Sequence, residues 1–176
     1  RPIIYASFGS VQTRLQSLYL SVVEACTDLP AQLVLSLGRK GAVLPVPSPN
    51  NNAIIVDYAP QLELLRRAAV VLTHAGLNTA LEALSLGLPL VTVPLCNDQP
   101  GISARLVRLG VAVAATTGRA EPMRKALVQV LNDSSYRRTA QRYQLIMRED
   151  CPTLAQTAEL IETALLRSTP LHRDDP

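Results

Sequence analysis

Six short apolar runs recur along the chain: PIIYASF (2–8), AQLVLSL (31–37), NAIIVDY (52–58), VVLTH (70–74), PLVTV (89–93) and VAVAA (111–115). Most are apolar at consecutive positions rather than at alternate ones. A strand of that kind buries both faces, and the arrangement that allows it is a parallel sheet covered by helices on each side. Between the runs lie segments with helical periodicity, predicted at 11–28, 61–69, 77–86 and 99–109, and then three in succession at 121–132, 134–149 and 153–167. The expected fold is α/β, a doubly wound parallel sheet of about six strands.

A chain of 176 residues that is 48% hydrophobic and 18% charged can close one such core, and its length argues for one domain. Net charge is +3, but the basic pairs Arg39-Lys40, Arg66-Arg67 and Arg137-Arg138 are scattered. With only Phe8 and five tyrosines as aromatic residues there are too few stacking surfaces, so no nucleic-acid partner is expected. Cys26, Cys96 and Cys151 are widely spaced and odd in number, which reads as free thiols in a reducing compartment, with neither a disulfide framework nor a zinc site.

No run approaches the ~18 apolar residues that a transmembrane segment needs. The opening RPIIYASFGS enters a strand within two residues and has neither an initiating Met nor a signal-peptide profile, so the sequence reads as a piece of a longer protein. The segment GRKGAVLPVPSPNNN (38–52) is expected to be a surface loop, with Arg39-Lys40 solvated in it. Residues 168–176, STPLHRDDP, are expected to form a frayed tail, and His172 with Asp174-Asp175 belongs to that tail rather than to a metal site.

In an open parallel sheet, ligands bind outside the carboxyl ends of the strands. Each of the first five predicted strands ends in a distinctive polar group: FGS (8–10), GRKG (38–41), YAPQ (58–61), HAGLNT (74–79) and NDQP (97–100). In the fourth, Gly76 directly after a strand lets the backbone turn and approach a ligand, and Asn78 and Thr79 suit the first turn of a helix. A helix N-terminus presents free N–H groups to an anion, and charge-assisted bonds from His74, Asn78 and Thr79 would each add roughly 1.5–3 kcal/mol. Glu82, one turn beyond Asn78, suits a ribose diol, since a carboxylate is repelled by phosphate. Taken singly, each residue has a plainer role: His74 as a structural strand-end residue, Asn78-Thr79 as a cap, Glu82 as a solvated helix residue. No GxGxxG, Walker loop or HExxH motif occurs.

The stretch DYAPQLELLRRAAVVLTHAGLNTALEALSLGLPLVTVPLCNDQP (57–100) resembles the donor-binding signature of the UDP-glycosyltransferases, the GT-B superfamily. The likeness is dense over 58–99 and joins separated elements: the Pro-Gln pair, His-x-Gly-x-Asn-Thr, the Glu, Gly-x-Pro, a later Pro and the Asp-Gln pair. YASFGS is similar to the first strand and loop of the same domain, and NDQPGISARLVRLGVAVA is most like the bacterial branch with macrolide and zeaxanthin glucosyltransferases.

The resemblance implies that the chain is the C-terminal, Rossmann-like half of a GT-B enzyme, with residues 1–167 forming the nucleotide-sugar donor domain. Tyr58 would stack the base, Ala59 would meet it through the backbone, Gln61 would complete the base and ribose contacts, and Glu82 would hold the ribose. Ser10, His74, Gly76, Asn78 and Thr79 would hold the phosphates, and Asp98 and Gln99 the sugar hydroxyls. Tyr58 and Leu77 stand where plant members carry Trp. The acceptor domain and the general-base His would lie in an N-terminal domain outside this chain, which leaves no catalytic residue here.

The implied function is metal-independent and cofactor-free transfer from a UDP-sugar, UDP-glucose being the expected donor, to a small lipophilic acceptor. The implied setting is cytoplasmic, with peripheral association with a membrane in the full-length protein. Two other readings stay open: a natural single-domain donor subunit of a split glycosyltransferase, and a sugar-nucleotide binding or epimerase-like module without transferase activity.

Overall fold

The computed structural model describes residues 1–9, 15–44, 52–115, 119–150 and 153–167. Its elements in chain order are β1 (Ile3–Ser7), α1 (Gln16–Cys26), β2 (Gln32–Ser36), β3 (Ala53–Val56), α2 (Gln61–Leu65), β4 (Ala68–Thr73), α3 (Leu77–Ser85), β5 (Leu90–Thr92), α4 (Gln99–Arg108), β6 (Ala112–Ala114), α5 (Ala120–Asn132), α6 (Ser134–Asp150) and α7 (Leu154–Arg167). The strands form one parallel sheet in the order β3-β2-β1-β4-β5-β6. This is the doubly wound α/β fold expected from the apolar runs. Because the chain leaves β1 toward β2 and later returns on its other side with β4, a crevice forms beyond the carboxyl ends of β1 and β4.

Successive strand residues feed two cores. Ile4, Ala6, Leu33, Leu35, Val70 and Leu72 face Leu18 and Val22 of α1 and Met123 and Leu127 of α5. Tyr5, Val34, Val71 and Leu90 face Ala80, Ala83 and Leu84 of α3, Leu106 of α4 and Ala140 of α6. Period-two alternation between two buried faces is what makes the strands read as continuous apolar runs. Leu72 is fully buried at the centre of the sheet; truncation to Ala there is expected to cost about 2–5 kcal/mol.

The predicted helix over 61–69 is corrected: α2 stops at Leu65, and Ala68 already begins β4. Alanines favour helix locally, but Ala68 is buried and registers against Ile3, so pairing at the centre of the sheet overrides propensity. The predicted helix over 11–28 is shorter in its described part, Gln16–Cys26, because Asp28 takes a positive φ of 61° just beyond it. Residues 11–14 of that helix, residues 45–51 of the 38–52 loop, Cys151, and the 168–176 tail with His172, Asp174 and Asp175 lie outside the described residues.

One row of the sheet bears directly on the site. Ser36, Ser7, Thr73 and Thr92 are in register at the carboxyl edge, and all four are buried. The apolar core therefore gives way to a band of hydroxyls immediately beneath the crevice. Among the described residues, no buried side-chain nitrogen or oxygen lacks a hydrogen-bond partner.

Candidate functional site

The β4–α3 turn carries the first group of predicted site residues. Thr73 ends the strand fully buried, and Ala75, also fully buried, takes a positive φ of 66° that redirects the chain into α3. A left-handed conformation at a residue with a Cβ costs roughly 1–2 kcal/mol. The sharp turn thus falls on Ala75 rather than on Gly76, which has an ordinary φ of −63° and stands as the N-cap of α3.

Gly76 is required for space instead. A Cβ there would sit 2.7 Å from His74 Nε2 and 2.8 Å from His74 Cε1, and one on Gly9 would sit 3.2 Å from Cε1. The imidazole is held between two glycines, on the loop after β1 and on the turn after β4. Burial lowers the His74 pKa, opposed by the Ser7 carbonyl and the Asp98 carboxylate, so the ring is neutral at pH 7. Its Nδ1 lies 3.4 Å from Thr73 Oγ1.

Leu77, Asn78 and Thr79 form the first turn of α3, and its N-cap, a glycine, brings no side chain to this terminus. The first intrahelical bond runs from the Ala80 N–H to the Gly76 carbonyl at 3.0 Å. Asn78 and Thr79 therefore lie past the cap position, and the plainer reading of them as a cap does not hold. A helix N-terminus with glycine at its cap position, beside a neutral imidazole, can accept an anion.

On the β3 side, Asp57 accepts hydrogen bonds from the Gly41 and Tyr58 amides, each at 2.7 Å. These bonds, that of Gly41 foremost, hold its carboxyl below the usual range. Asp57 thereby ties the GRKG turn after β2 to the end of β3 and sets the backbone at Tyr58, whose side chain is 57% exposed. A ring so exposed at the end of a strand offers a stacking surface. Ala59 is buried, while Arg39 and Lys40 are exposed as expected.

Gln61 opens α2 and reaches down into the sheet. Its Oε1 accepts from the Tyr5 hydroxyl at 3.2 Å, and its Nε2 donates to Glu82 Oε2 at 2.6 Å and to Thr79 Oγ1 at 3.4 Å. Glu82 is half-buried, in contrast to a solvated helix residue.

The β5–α4 loop carries the Asp-Gln pair. Asn97 takes a positive φ of 56°, and Asp98 stands at the N-cap of α4 without making a side-chain cap bond. Its exposed carboxylate is directed to no helix amide, yet it is near enough to His74 to influence its charge. Gln99 is turned inward, 4% exposed, with Oε1 accepting from the Leu95 and Cys96 amides at 2.9 and 3.0 Å.

Tyr58, Ala59, Gln61, His74, Gly76, Asn78, Thr79, Glu82, Asp98 and Gln99 thus all stand at the carboxyl edge of the sheet, on β3–α2, β4–α3 and β5–α4. Ser10 lies outside the described residues. Reasoning from sequence missed Tyr5 and the hydroxyl row, and it did not give Gly9 its place against His74 or Asp57 its hold on the Gly41 and Tyr58 amides. Polar residues at the ends of otherwise apolar strands, as in YAS, LVLS, VVLT and LVT, were the available signal. Among the described residues Cys26 forms no disulfide, and burial pushes its thiol up to about 12, which makes it unreactive. Among the described residues, no three His, Cys, Asp or Glu side chains converge on a point that could hold a metal ion, and no helix is long and apolar enough to cross a membrane.

Residues 1–154 match the family model described as UDP-glucoronosyl and UDP-glucosyl transferase. The chain belongs to this family. Within it, the chain has the architecture of the C-terminal, Rossmann-like half of a GT-B glycosyltransferase. It is 30% identical to zeaxanthin glucosyltransferase of Pantoea ananas, over 97% of this chain and 40% of that protein. It is 32% identical to oleandomycin glycosyltransferase of Streptomyces antibioticus, over 93% of this chain and 38% of that protein. Among solved structures, the glycotransferase of kitacinnamycin superposes with a TM-score of 0.84 at 29% identity, covering 93% of this chain and 43% of that one. The chain therefore spans about two fifths of the length of these glycosyltransferases.

Proposed function

We propose that the carboxyl edge of the sheet binds a UDP-sugar, UDP-glucose in the first instance, and presents it for metal-independent, cofactor-free transfer to a small lipophilic acceptor. The observation that carries this reading is the His74–Gly76–Asn78–Thr79 turn: a helix terminus with glycine at its cap position, beside an imidazole seated between two glycines. Amides and imidazole together suit a diphosphate. Ser10 belongs to the same phosphate set by its place in the motif. Tyr58 stacks the base, Ala59 meets it through the backbone, and Gln61 and Glu82 hold the ribose. Asp98 is the exposed sugar ligand, and Gln99 acts at the sugar by shaping the loop that carries Asp98.

In the reaction, the acceptor oxygen forms a bond to the anomeric carbon while the bond to the β-phosphate oxygen breaks, and the electron pair leaves on UDP. The α3 amides and His74 stabilise the charge that grows on that leaving group. The acceptor's proton goes to a base on an N-terminal domain that also holds the acceptor. On this reading residues 1–167 are a donor domain, and the chain alone transfers nothing, because positioning and base catalysis are both missing.

The test is an assay of UDP-glucose turnover by this chain, with and without an N-terminal acceptor half supplied as a second polypeptide. The expected outcome is at most slow hydrolysis by the chain alone and transfer on addition of the second half. Efficient glycosylation by the chain alone would contradict the reading and turn the search for a base to Asp98, Glu82 and Asp57.

A further inference from the structure

Tyr5 occupies the middle of β1, 1% exposed, with its ring packed in the core on the α3 and α4 side of the sheet. Burial raises the pKa of its hydroxyl, which has the Ser7 and Ser36 hydroxyls beside it and bonds to Gln61 Oε1 at 3.2 Å. The direction of that bond is fixed by the far end of the same amide. Gln61 Nε2 lies 2.6 Å from Glu82 Oε2. A carboxylate accepts and cannot donate, so the NH2 must face Glu82. The amide carbonyl must then face Tyr5, and Tyr5 must be the donor. The polarised chain runs from Tyr5 through Gln61 to Glu82, anchored at one end in the buried centre of the sheet. Gln61, by contrast, is half-buried on a helix of five residues, and its amide is held by Tyr5 on one side and by Glu82 and, at 3.4 Å, Thr79 on the other.

We propose that Tyr5 is a positioning residue: through the Gln61 amide it fixes the Glu82 carboxylate, and so sets the preference of the site for a ribose diol over a 2′-deoxyribose. The inference rests on the reading of Glu82 as the ribose ligand. With Oε2 committed to Gln61, the carboxylate presents Oε1 to the sugar in one orientation. Without the Tyr5 hydroxyl, the amide carbonyl loses its donor, the amide is held from its Nε2 side by Glu82 and Thr79, and the carboxylate is fixed less firmly. Of the groups placed at the phosphates, Thr79 touches the Gln61 amide through a longer contact of 3.4 Å, so the change falls mainly on the ribose side.

The test titrates wild type and Tyr5→Phe with UDP and 2′-deoxy-UDP, and repeats both in a Glu82→Ala background. The expected result is a wild-type preference for UDP that falls by about 3–10-fold in Tyr5→Phe, while affinity for 2′-deoxy-UDP stays within about twofold. In the Glu82→Ala background, Tyr5→Phe should change the preference much less, leaving only the part that Gln61 itself contributes at the ribose. A purely structural role would instead lower the melting temperature or weaken both ligands equally, and either result with the preference intact overturns the inference alone. Failure of wild type to bind UDP overturns the donor-site reading and this inference with it. Should Tyr5→Phe not fold, the wild-type Tyr5 hydroxyl proton supplies a second readout by NMR. It should shift on addition of UDP but not of inorganic pyrophosphate, and an unchanged resonance with UDP overturns the proposal.

Discussion

Two turns at the same edge of the sheet, β4–α3 and β5–α4, solve the same problem of leading a parallel strand into a helix beside a ligand, and they solve it differently. The first is three residues long and built from backbone: a left-handed Ala75, a glycine N-cap and an imidazole filling the space that two glycines leave. The second is longer and hangs on one side chain, the buried Gln99 amide, whose oxygen gathers the Leu95 and Cys96 amides. Function and stability are separable in the first turn and joined in the second. A side chain placed against His74 disturbs the ligand's partner and little else. Loss of Gln99 disturbs the fold of the loop and, through it, Asp98.

The largest effect is expected from Gly76→Ala. The backbone there suits any residue, but the new Cβ would lie within 2.8 Å of the imidazole, which must swing away. Affinity for UDP should drop by about 10–100-fold, the equivalent of one charge-assisted hydrogen bond, with the melting temperature nearly unchanged. Gly101→Ala in α4, where a Cβ meets nothing within 4 Å, is the control and should leave affinity intact. An unfolded Gly76→Ala would break the claimed separation.

Gln99→Leu should show the opposite balance. Removing the shared acceptor is expected to cost about 1–3 kcal/mol in denaturant unfolding. UDP-glucose binding should weaken while UDP binding stays close to wild type. Asp98→Ala sharpens the contrast, because Asp98 makes no cap bond: UDP-glucose should bind about 3–10-fold less tightly, with UDP affinity and melting temperature unchanged. A fall in both affinities together with stability would return Asp98 to a structural role.

The smallest effect concerns pH. Burial lowers the His74 pKa in the unliganded fold, so the unfolded chain binds this proton more readily. That contribution to stability is present above the unfolded value, about 6.5, and is lost as pH falls from there toward the lowered folded value. A bound diphosphate favours the imidazolium, so UDP-glucose, which has no phosphate titrating near neutrality, should bind more tightly over the same interval. Calorimetry in buffers of different ionisation enthalpy should detect proton uptake that His74→Gln abolishes. Uptake unchanged in His74→Gln would assign the proton elsewhere.

The parallel sheet was legible because strands buried on both faces must be apolar throughout, and the site edge because each polar strand ending stood out against that background. The end of α2 was not legible, since Ala68 and Ala69 favour a helix locally and only pairing with β1 draws Ala68 into a strand. His74 and Gly76 could be named from the sequence, but not the reason for the glycine, which is the imidazole's position in space. Gln61 and Gln99 look alike as strand-end glutamines at the start of a helix. Only three-dimensional contacts distinguish a relay between Tyr5 and Glu82 from a loop staple. Tyr5 itself reads as one more core aromatic, because its partner lies 56 residues away.

The central claim is that the β4–α3 turn is a diphosphate site, and calorimetric titration of the chain and of His74→Ala with UDP and with uridine tests it most directly. Wild type should bind UDP, and saturation at about 100 times Kd should raise stability by roughly 2.7 kcal/mol. His74→Ala should weaken UDP by at least about tenfold while leaving uridine binding nearly unchanged, as loss of a charge-assisted phosphate contact requires. Equal loss for the two ligands, or no binding of UDP by the wild-type chain, would contradict the account.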